Sequence, residues 1–260
     1  MKRTNNLKQP YTLKKSLGQH FLHDENMCMK IVEQIPARRP LQLLEVGPGG
    51  GAITKYIIEQ EGIDYKAIEL DQEKIAYLHT TYPKLAGKII HKDILKADKP
   101  FEGRFSVIGN FPYNISSPIL FKVLEWEEDV DEVVGMFQKE VALRICSQHG
   151  SKVYGILSVL MQAFFKVEYL FDVHENCFTP PPKVKSGVLR FVNTGNPYGI
   201  DNKRKFTILV KAAFGQRRKT LRNALKSLLE AEALKDPIMD KRAEQLSVAE
   251  LVGLYKKYYS

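Results

Sequence analysis

Leu41-Gln42-Leu43-Leu44-Glu45-Val46-Gly47-Pro48-Gly49-Gly50-Gly51 is the stretch that decides the fold. Its first six residues, rich in leucine and ending in valine, read as a buried strand. The glycines that follow let the backbone turn sharply and approach a ligand closely, and a helix over 52–61 is expected next. The pattern is G-x-G-x-G, without the G-x-G-x-x-G spacing of the dinucleotide fingerprint. With no pyrophosphate to cradle, the ligand reads as a mononucleoside with a small tail. Tyr65-Lys66-Ala67-Ile68-Glu69 is a second strand, and it ends in an acid 18 residues after Gly51. An acid at that place accepts hydrogen bonds from ribose hydroxyls. Strand, glycine loop, helix, strand and acid, in that order, predict an α/β sheet with a nucleoside cofactor at its carboxyl edge.

Downstream, a helix over 71–80 leads to a third strand, Lys88-Ile89-Ile90-His91-Lys92-Asp93. Asp93 either holds an adenine amine or caps the following turn. A fourth strand, Phe105 to Gly109, runs into Asn110-Phe111-Pro112-Tyr113. Next comes a helix start with Ser117 as N-cap and Pro118 at the first helical position. The chemistry suited to Asn-x-Pro-Tyr is methylation of a planar exocyclic amine, a poor nucleophile because its lone pair is delocalised into the ring. The Asn110 side-chain oxygen and the carbonyl before Tyr113 can accept the two N–H bonds and favour a pyramidal nitrogen. Tyr113 offers a face on which a flipped base stacks.

A fifth strand over 133–138, a helix over 139–147 and a helix over 154–164 follow. Segments 165–173 and 186–192 are strands expected to pair as a late hairpin-like unit. Between them lies Phe178-Thr179-Pro180-Pro181-Pro182-Lys183-Val184. Three prolines make it a stiff, shaped loop, which either fixes Phe178 against a planar base or packs it in the core.

The ends differ from the body. Net charge is +9 over 260 residues, but residues 1–15 carry five basic and no acidic side chains, and residues 193–260 carry 14 basic and seven acidic. Residues 16–192 are slightly acidic, with 20 basic and 23 acidic side chains. That distribution points to a polyanion bound by the flanks of a catalytic or binding body, or to solubilising surface charge. The division is therefore a basic flexible arm (1–15), a body (16–192) and a helical basic unit (193–260) entered through the linker Asn193 to Gly199. Within the last unit, helices are expected over 201–214, 217–230 and 248–258. On the middle one, Arg217, Arg218, Lys219, Arg222 and Lys226 form a basic face suited to phosphate contacts. At the other end, Lys15 to Leu22 is either a lid over the pocket or an anchor for the arm, and Asp24 caps a helix over 25–35. Three scattered cysteines, Cys28, Cys146 and Cys177, argue against a disulfide framework or a zinc site. No apolar segment reads as a membrane span or signal peptide, so a cytoplasmic protein is expected.

These motifs together resemble the rRNA adenine dimethyltransferases, and within them the small-subunit, kasugamycin-sensitivity type. The matching pieces are Leu17–Leu22, Glu45–Gly51, Glu69, Asp93, Asn110–Ser116, Phe178–Val184 and Phe214–Leu221, in family order along nearly the whole chain. Phe111 stands where many members carry leucine. The resemblance implies a Rossmann-like, seven-stranded methyltransferase sheet with a reversed last strand and a small helical C-terminal domain. It implies S-adenosylmethionine as cofactor, held by His20, Leu22, Gly47, Glu69, Asp93 and Asn110. Asn110 and Tyr113 would hold the target adenine, with Phe178 on its other face. The substrate would be two adjacent adenosines in a hairpin near the 3′ end of 16S rRNA, in a partly assembled 30S particle, each dimethylated by a monomeric enzyme.

Three rivals remain at this stage. The related large-subunit methyltransferase of macrolide resistance is opposed by the proline-rich loop and by Gln216–Leu221. A non-enzymatic assembly or transcription factor is opposed by the intact Asn110–Tyr113 motif. A DNA adenine methyltransferase is opposed by the lack of an evident target-recognition domain for duplex DNA.

Overall fold

The computed structural model describes residues 20–260. The basic arm, and Lys15 to Gln19 of the lid segment, lie outside the described residues. The chain opens with β1 (Phe21–Leu22), α1 (Glu25–Val32), β2 (Leu41–Val46), α2 (Thr54–Ile57), β3 (Ile63–Glu69), α3 (Gln72–Thr81) and β4 (Ile89–His91). It continues through β5 (Phe105–Asn110), α4 (Ser116–Glu125), β6 (Val130–Gln138), α5 (Lys139–Cys146), α6 (Ile156–Phe164), β7 (Phe165–Val173), β8 (Phe178–Thr179) and β9 (Ser186–Asn193). The C-terminal part holds α7 (Lys203–Gly215), α8 (Leu221–Ala224) and α9 (Val248–Tyr258), with short 3-10 turns between the last two.

Seven strands form one sheet in the order β4-β3-β2-β5-β6-β9-β7. The first five in that order are parallel, and β9 runs antiparallel to both β6 and β7. The apolar runs of β2 and β5 follow from this, since central parallel strands are covered on both faces. The late pair expected from sequence is the β7–β9 ladder, and β9 is the reversed strand. From β2 the chain moves outward through β3 to β4, then returns to lay β5 on the other side of β2. That reversal of direction is the switch point at which open α/β sheets bind ligands, beyond the carboxyl ends of the strands. The loops after β2 and β5, the glycine loop and the Asn110 turn, therefore emerge side by side.

Asp24 caps α1 as expected, accepting from the Met27 amide at 2.9 Å, but the helix stops at Val32. Helix α2 is a single turn, because Gly51 sits at φ +79° and the chain on both sides of Thr54–Ile57 forms turns. Helix α4 is capped by Ile115, which places Pro118 at the third helical position in place of the expected Ser117 cap. Its first turn tolerates proline there because an amide at that position has no intrahelical partner.

The expected helix over 217–230 is absent. Only Leu221–Ala224 is α-helical, and the Leu221 amide donates to the Lys241 carbonyl at 2.8 Å. That cross-chain bond takes the donor a continuous helix from 217 would use. Leu221, Leu225 and Leu229 are nonetheless buried. They join a hydrophobic cluster that runs without interruption from sheet residues such as Leu44, Val107 and Phe137 to Phe206, Leu251 and Tyr255. The linker is a bonded turn: Asn193 Nδ2 donates to the Glu127 and Val130 carbonyls, and Asn196, in the left-handed region at φ 53°, exchanges two hydrogen bonds with Ile200. Among the described residues no helix is long and apolar enough to cross a membrane.

Candidate active site

The glycine loop is held open by its own geometry. Gly47, Gly49 and Gly51 all have positive φ, and a Cβ on Gly51 would come within 2.7 Å of the Tyr82 ring. Glu69, at the end of β3 and 7% exposed, reaches back to this loop. Its Oε2 accepts the Gly49 amide at 3.1 Å, and its Oε1 accepts the Leu70 and Asp71 amides at 2.9 and 3.0 Å. A carboxylate oxygen has two lone pairs, so Oε2 keeps one acceptor position, on a residue that lines the cleft. The charge is oriented by three backbone donors before any ligand arrives.

Beneath the loop lies a second carboxylate that sequence analysis passed over. Glu45, the penultimate residue of β2, is 1% exposed and accepts from Tyr65 Oη at 2.6 Å and Thr54 Oγ1 at 2.8 Å. Burial pushes its carboxyl up to about 7, against the lowering effect of the two hydroxyl donors and with a further push from the Glu69 charge. In the sequence it looked like part of an apolar strand, and the polar residue inside an otherwise buried run was the available signal.

On the other side of the cleft, β5 delivers Asn110. The β2–β5 register, with Glu45 opposite Ile108, brings Gly47 level with Asn110, and a Cβ on Gly47 would stand 4.0 Å from Pro112 Cδ. The turn is anchored from below by Phe111. Its ring is fully buried, packs edge-on against Phe137 at 5.3 Å between centroids, and occupies a slot floored by Gly109 and Gly135. With Phe111 inserted in the core, Asn110 and Pro112 face the cleft. The Asn110 side chain has no hydrogen-bond partner among the described residues. The Pro112 carbonyl already accepts the Ile115 amide at 3.0 Å and retains one lone pair. Tyr113 is half-buried, its ring centroid lies 5.8 Å from that of His20 with the planes 31° apart, and its hydroxyl lies 2.5 Å from Ser186 Oγ. Burial raises the pKa of its phenol, so it is neutral and not a general base near pH 7.

The N-terminal segment closes the third side. Strand β1 pairs antiparallel with β8, Phe21 opposite Thr179 and Leu22 opposite Phe178, and His20 Nδ1 lies 2.8 Å from the Pro180 carbonyl. The described end of the lid segment thus both anchors to the core and walls the cleft.

The cleft brings together His20, Leu22, Gly47, Glu69, Asn110 and Tyr113. Asp93 and Phe178 are not among its lining residues. Asp93 Oδ1 accepts the Leu95 amide at 2.9 Å and caps a 3-10 turn, which leaves its other carboxylate oxygen uncommitted. Phe178 is 1% exposed and packs with Leu22, Cys28 and Ile31 in a second apolar cluster, so its ring offers no free face. Leu70, beside Glu69, is 54% exposed at the carboxyl edge but, like Asp93 and Phe178, does not line the cleft. One further lining residue was missed. Buried Lys74 of α3 adds a positive group to the cleft wall near Gly49. A lysine near a helix start carries no sequence signal of its own.

The basic residues of the expected phosphate-binding face divide into two sets. Arg217 donates to the Lys152 carbonyl and, at 2.9 Å, to the Tyr154 carbonyl, and pairs with Glu244 at 3.3 Å. Arg222 pairs with Asp240 at 2.6 Å. Arg218, Lys219 and Lys226 are exposed and have no such partner among the described residues.

The sequence profile of the family described as ribosomal RNA adenine dimethylase matches residues 11–259. A protein named ribosomal RNA small subunit methyltransferase A from Cytophaga hutchinsonii is 50% identical over 245 residues, 93% of this chain and 95% of that one. Its namesake from Flavobacterium johnsoniae is 50% identical over 248 residues, 94% of this chain and 95% of that one. Among solved structures, a dimethyladenosine transferase from Plasmodium falciparum superposes with a TM-score of 0.78 at 22% identity, covering 93% of this chain and 100% of that one. The 23S rRNA methyltransferase ErmE superposes with a TM-score of 0.64 at 24% identity, covering 91% and 99%. At those identities the two structures speak for the methyltransferase fold, with its seven-stranded sheet and helical C-terminal part. The half-identical relatives and the full-length profile speak for descent, and on them the chain belongs to the ribosomal RNA adenine dimethylase family.

Proposed function

We propose that this protein uses S-adenosylmethionine to dimethylate the exocyclic amines of two adjacent adenosines in a hairpin near the 3′ end of 16S rRNA. The observation that carries the reading is the juxtaposition of two half-sites at the switch point. Glu69 and the glycine loop form a nucleoside cradle, and Asn110, Pro112 and Tyr113 stand across the cleft from it. The cradle fits the cofactor: one acceptor position on Glu69 suits a ribose hydroxyl, and exposed Leu70 suits an adenine face. Asp93 keeps its second carboxylate oxygen for an adenine amine.

When bound, S-adenosylmethionine supplies a methyl group activated by a positive sulfur. The protein's part is positioning. Asn110 Oδ1 and the free lone pair of the Pro112 carbonyl accept the two N–H bonds of the target amine, and Tyr113 carries the base. No residue from Asn110 to Tyr113 is a base at neutral pH, and none is needed, because the amine becomes acidic once methylated and its proton passes to water. After the first methyl only one N–H remains to be held, so the cleft must also admit a methyl. Phe178 supports β1 and the proline-rich loop from beneath.

Residues 16–192 form the methyltransferase body and 193–260 an RNA-binding unit, working as a monomer in the cytoplasm on a partly assembled small subunit, with a part in its assembly. Methyl transfer by the purified protein, offered undermethylated 30S particles and protein-free 23S rRNA side by side, with the modified RNA fragments mapped by mass spectrometry, tests the whole. Dimethyladenosine confined to the 3′ hairpin of 16S rRNA is expected. Transfer to 23S rRNA instead would assign it to the large subunit.

A further inference from the structure

Ser186 opens the reversed strand β9 and is completely buried. It is paired on both sides, with Gln138 of β6 and Val173 of β7, so its backbone is fixed by two ladders. Its Oγ meets the Tyr113 hydroxyl at 2.5 Å, across 73 residues of sequence. No other side-chain partner of that hydroxyl exists among the described residues. Tyr113 itself sits on a turn, held otherwise by the bond from Ser116 Oγ to its carbonyl at 3.3 Å and by the contact with His20. The ring's tilt is therefore set from β9 and not from the turn that carries it. Ser186 also ends the proline-rich loop, whose other end is pinned to β1 through the Leu22–Phe178 pair. One stiff segment thus joins the cofactor-side wall to the base-side aromatic.

We propose that Ser186 is a positioning residue for methyl transfer, holding the Tyr113 ring at the angle on which the target adenine stacks. The proposal rests on the reading of Tyr113 as the base platform. It assigns the Tyr113 hydroxyl a purely mechanical use. It also makes the second methylation the more demanding step, because the monomethylated amine has only one N–H left to align and relies more on the stack.

The test is methyl transfer to undermethylated 30S particles at saturating S-adenosylmethionine, with monomethyl- and dimethyladenosine counted separately. Ser186→Ala is expected to lower turnover about five-fold, the loss of one net hydrogen bond, and to raise the monomethyl share. KM for the particle and affinity for S-adenosylhomocysteine are expected to stay unchanged. Tyr113→Phe should reproduce both effects, and the double variant should be no slower than the slower single, since both remove one bond. Wild-type turnover and product ratio in Ser186→Ala, or losses that multiply in the double variant, would overturn the proposal. Should Ser186→Ala melt early, Tyr113→Phe leaves the serine in place and decides the matter by its product ratio, a wild-type ratio counting against. Tyr113→Ala separates the two layers. If it turns over like wild type, the platform reading fails; if it is inactive while Ser186→Ala is normal, only the role of Ser186 fails.

Discussion

The cleft and the basic segment after Phe214 treat their charges in opposite ways. In the cleft, Glu69 is nearly out of water, yet its carboxylate is oriented by three backbone amides and keeps an acceptor for a ligand. In the basic segment, Arg217 and Arg222 look free in the sequence but are turned back onto the protein's own carbonyls and carboxylates, leaving Arg218, Lys219 and Lys226 exposed. A charge in the cleft is defined by what holds it still. A charge in the basic segment is defined by what has already taken it. Counting charges says little about either, because the count is the same before and after a partner is found.

The largest effect expected from this contrast is at Asn110. Asn110→Ala removes a positioned acceptor on the edge of the cofactor cleft, so turnover should fall about 100-fold or more, while calorimetry should find cofactor affinity only partly impaired. A variant that lost cofactor binding and turnover in equal measure would merge the two half-sites into one. The buried acid of the cleft comes next. Glu45 titrates at about 7 in the fold against an ordinary value of 4.5. The neutral form is the favoured buried one, so its contribution is fully present below 4.5 and is lost as pH rises through 7. Relative to Glu45→Gln, the wild type should lose on the order of 3 kcal/mol of stability between about pH 5 and pH 8. Denaturant melts across that range that kept a constant gap between the two proteins would show that Glu45 is not buried as described.

Glu69→Ala should weaken S-adenosylmethionine binding by about 1.5–3 kcal/mol, the worth of hydrogen bonds to a charged acceptor, with the fold kept but its melting temperature lowered, since the Gly49, Leu70 and Asp71 amides lose their acceptor. Unchanged affinity would remove Glu69 from the cradle. The smallest effects belong to the basic segment, where the contrast can be made sharper. Replacing Arg218, Lys219 and Lys226 with alanine should reduce the slope of log affinity for rRNA against log salt by roughly 0.7–0.9 per lost phosphate contact. Replacing Arg217 and Arg222 should change the slope less and cost stability instead, by about 1 kcal/mol or less for the exposed Arg222–Asp240 pair. If both sets changed the slope equally, the intramolecular ion pairs must open when RNA binds.

What the sequence made legible follows the same division. The strands, the glycine loop, Glu69 and the Asn110 turn could be read because apolar runs and backbone geometry demand particular residues at fixed spacing, while their union in one seven-stranded sheet came from the family resemblance; the start of α9 is fixed locally, since Ser247 and Glu250 form a capping box. The helix over 217–230 was misread because its leucine spacing is helical, while the bond from the Leu221 amide to Lys241, which ends the ladder, joins residues no local pattern connects. The three prolines leave Phe178 either against a base or in the core, and only the family resemblance favours the base, because a stiff loop shows that a side chain is fixed, not which way it faces. Ser186 and Leu70 were invisible for the converse reason, since their importance lies entirely in what the fold places beside them.

The seat of Phe111 has a consequence for how such a chain can change over generations. A Cβ on Gly135 would come within 2.5 Å of the Phe111 ring and 2.8 Å of the Phe137 ring, whereas one on Gly109 would also strike the Val46 carbonyl at 2.7 Å. Gly109 is thus barred by backbone and has no alternative while the sheet persists. Gly135 is barred only by side chains, so its freedom depends on who sits opposite. A lineage that first exchanges Phe111 for leucine gains room in which alanine at 135 becomes less costly, and once that alanine is present the return to phenylalanine is obstructed. The order of two substitutions, one of them on a neighbouring strand, then decides which descendants remain reachable, and the residue that anchors the Asn110 turn acts as a one-way latch on the lineage's history.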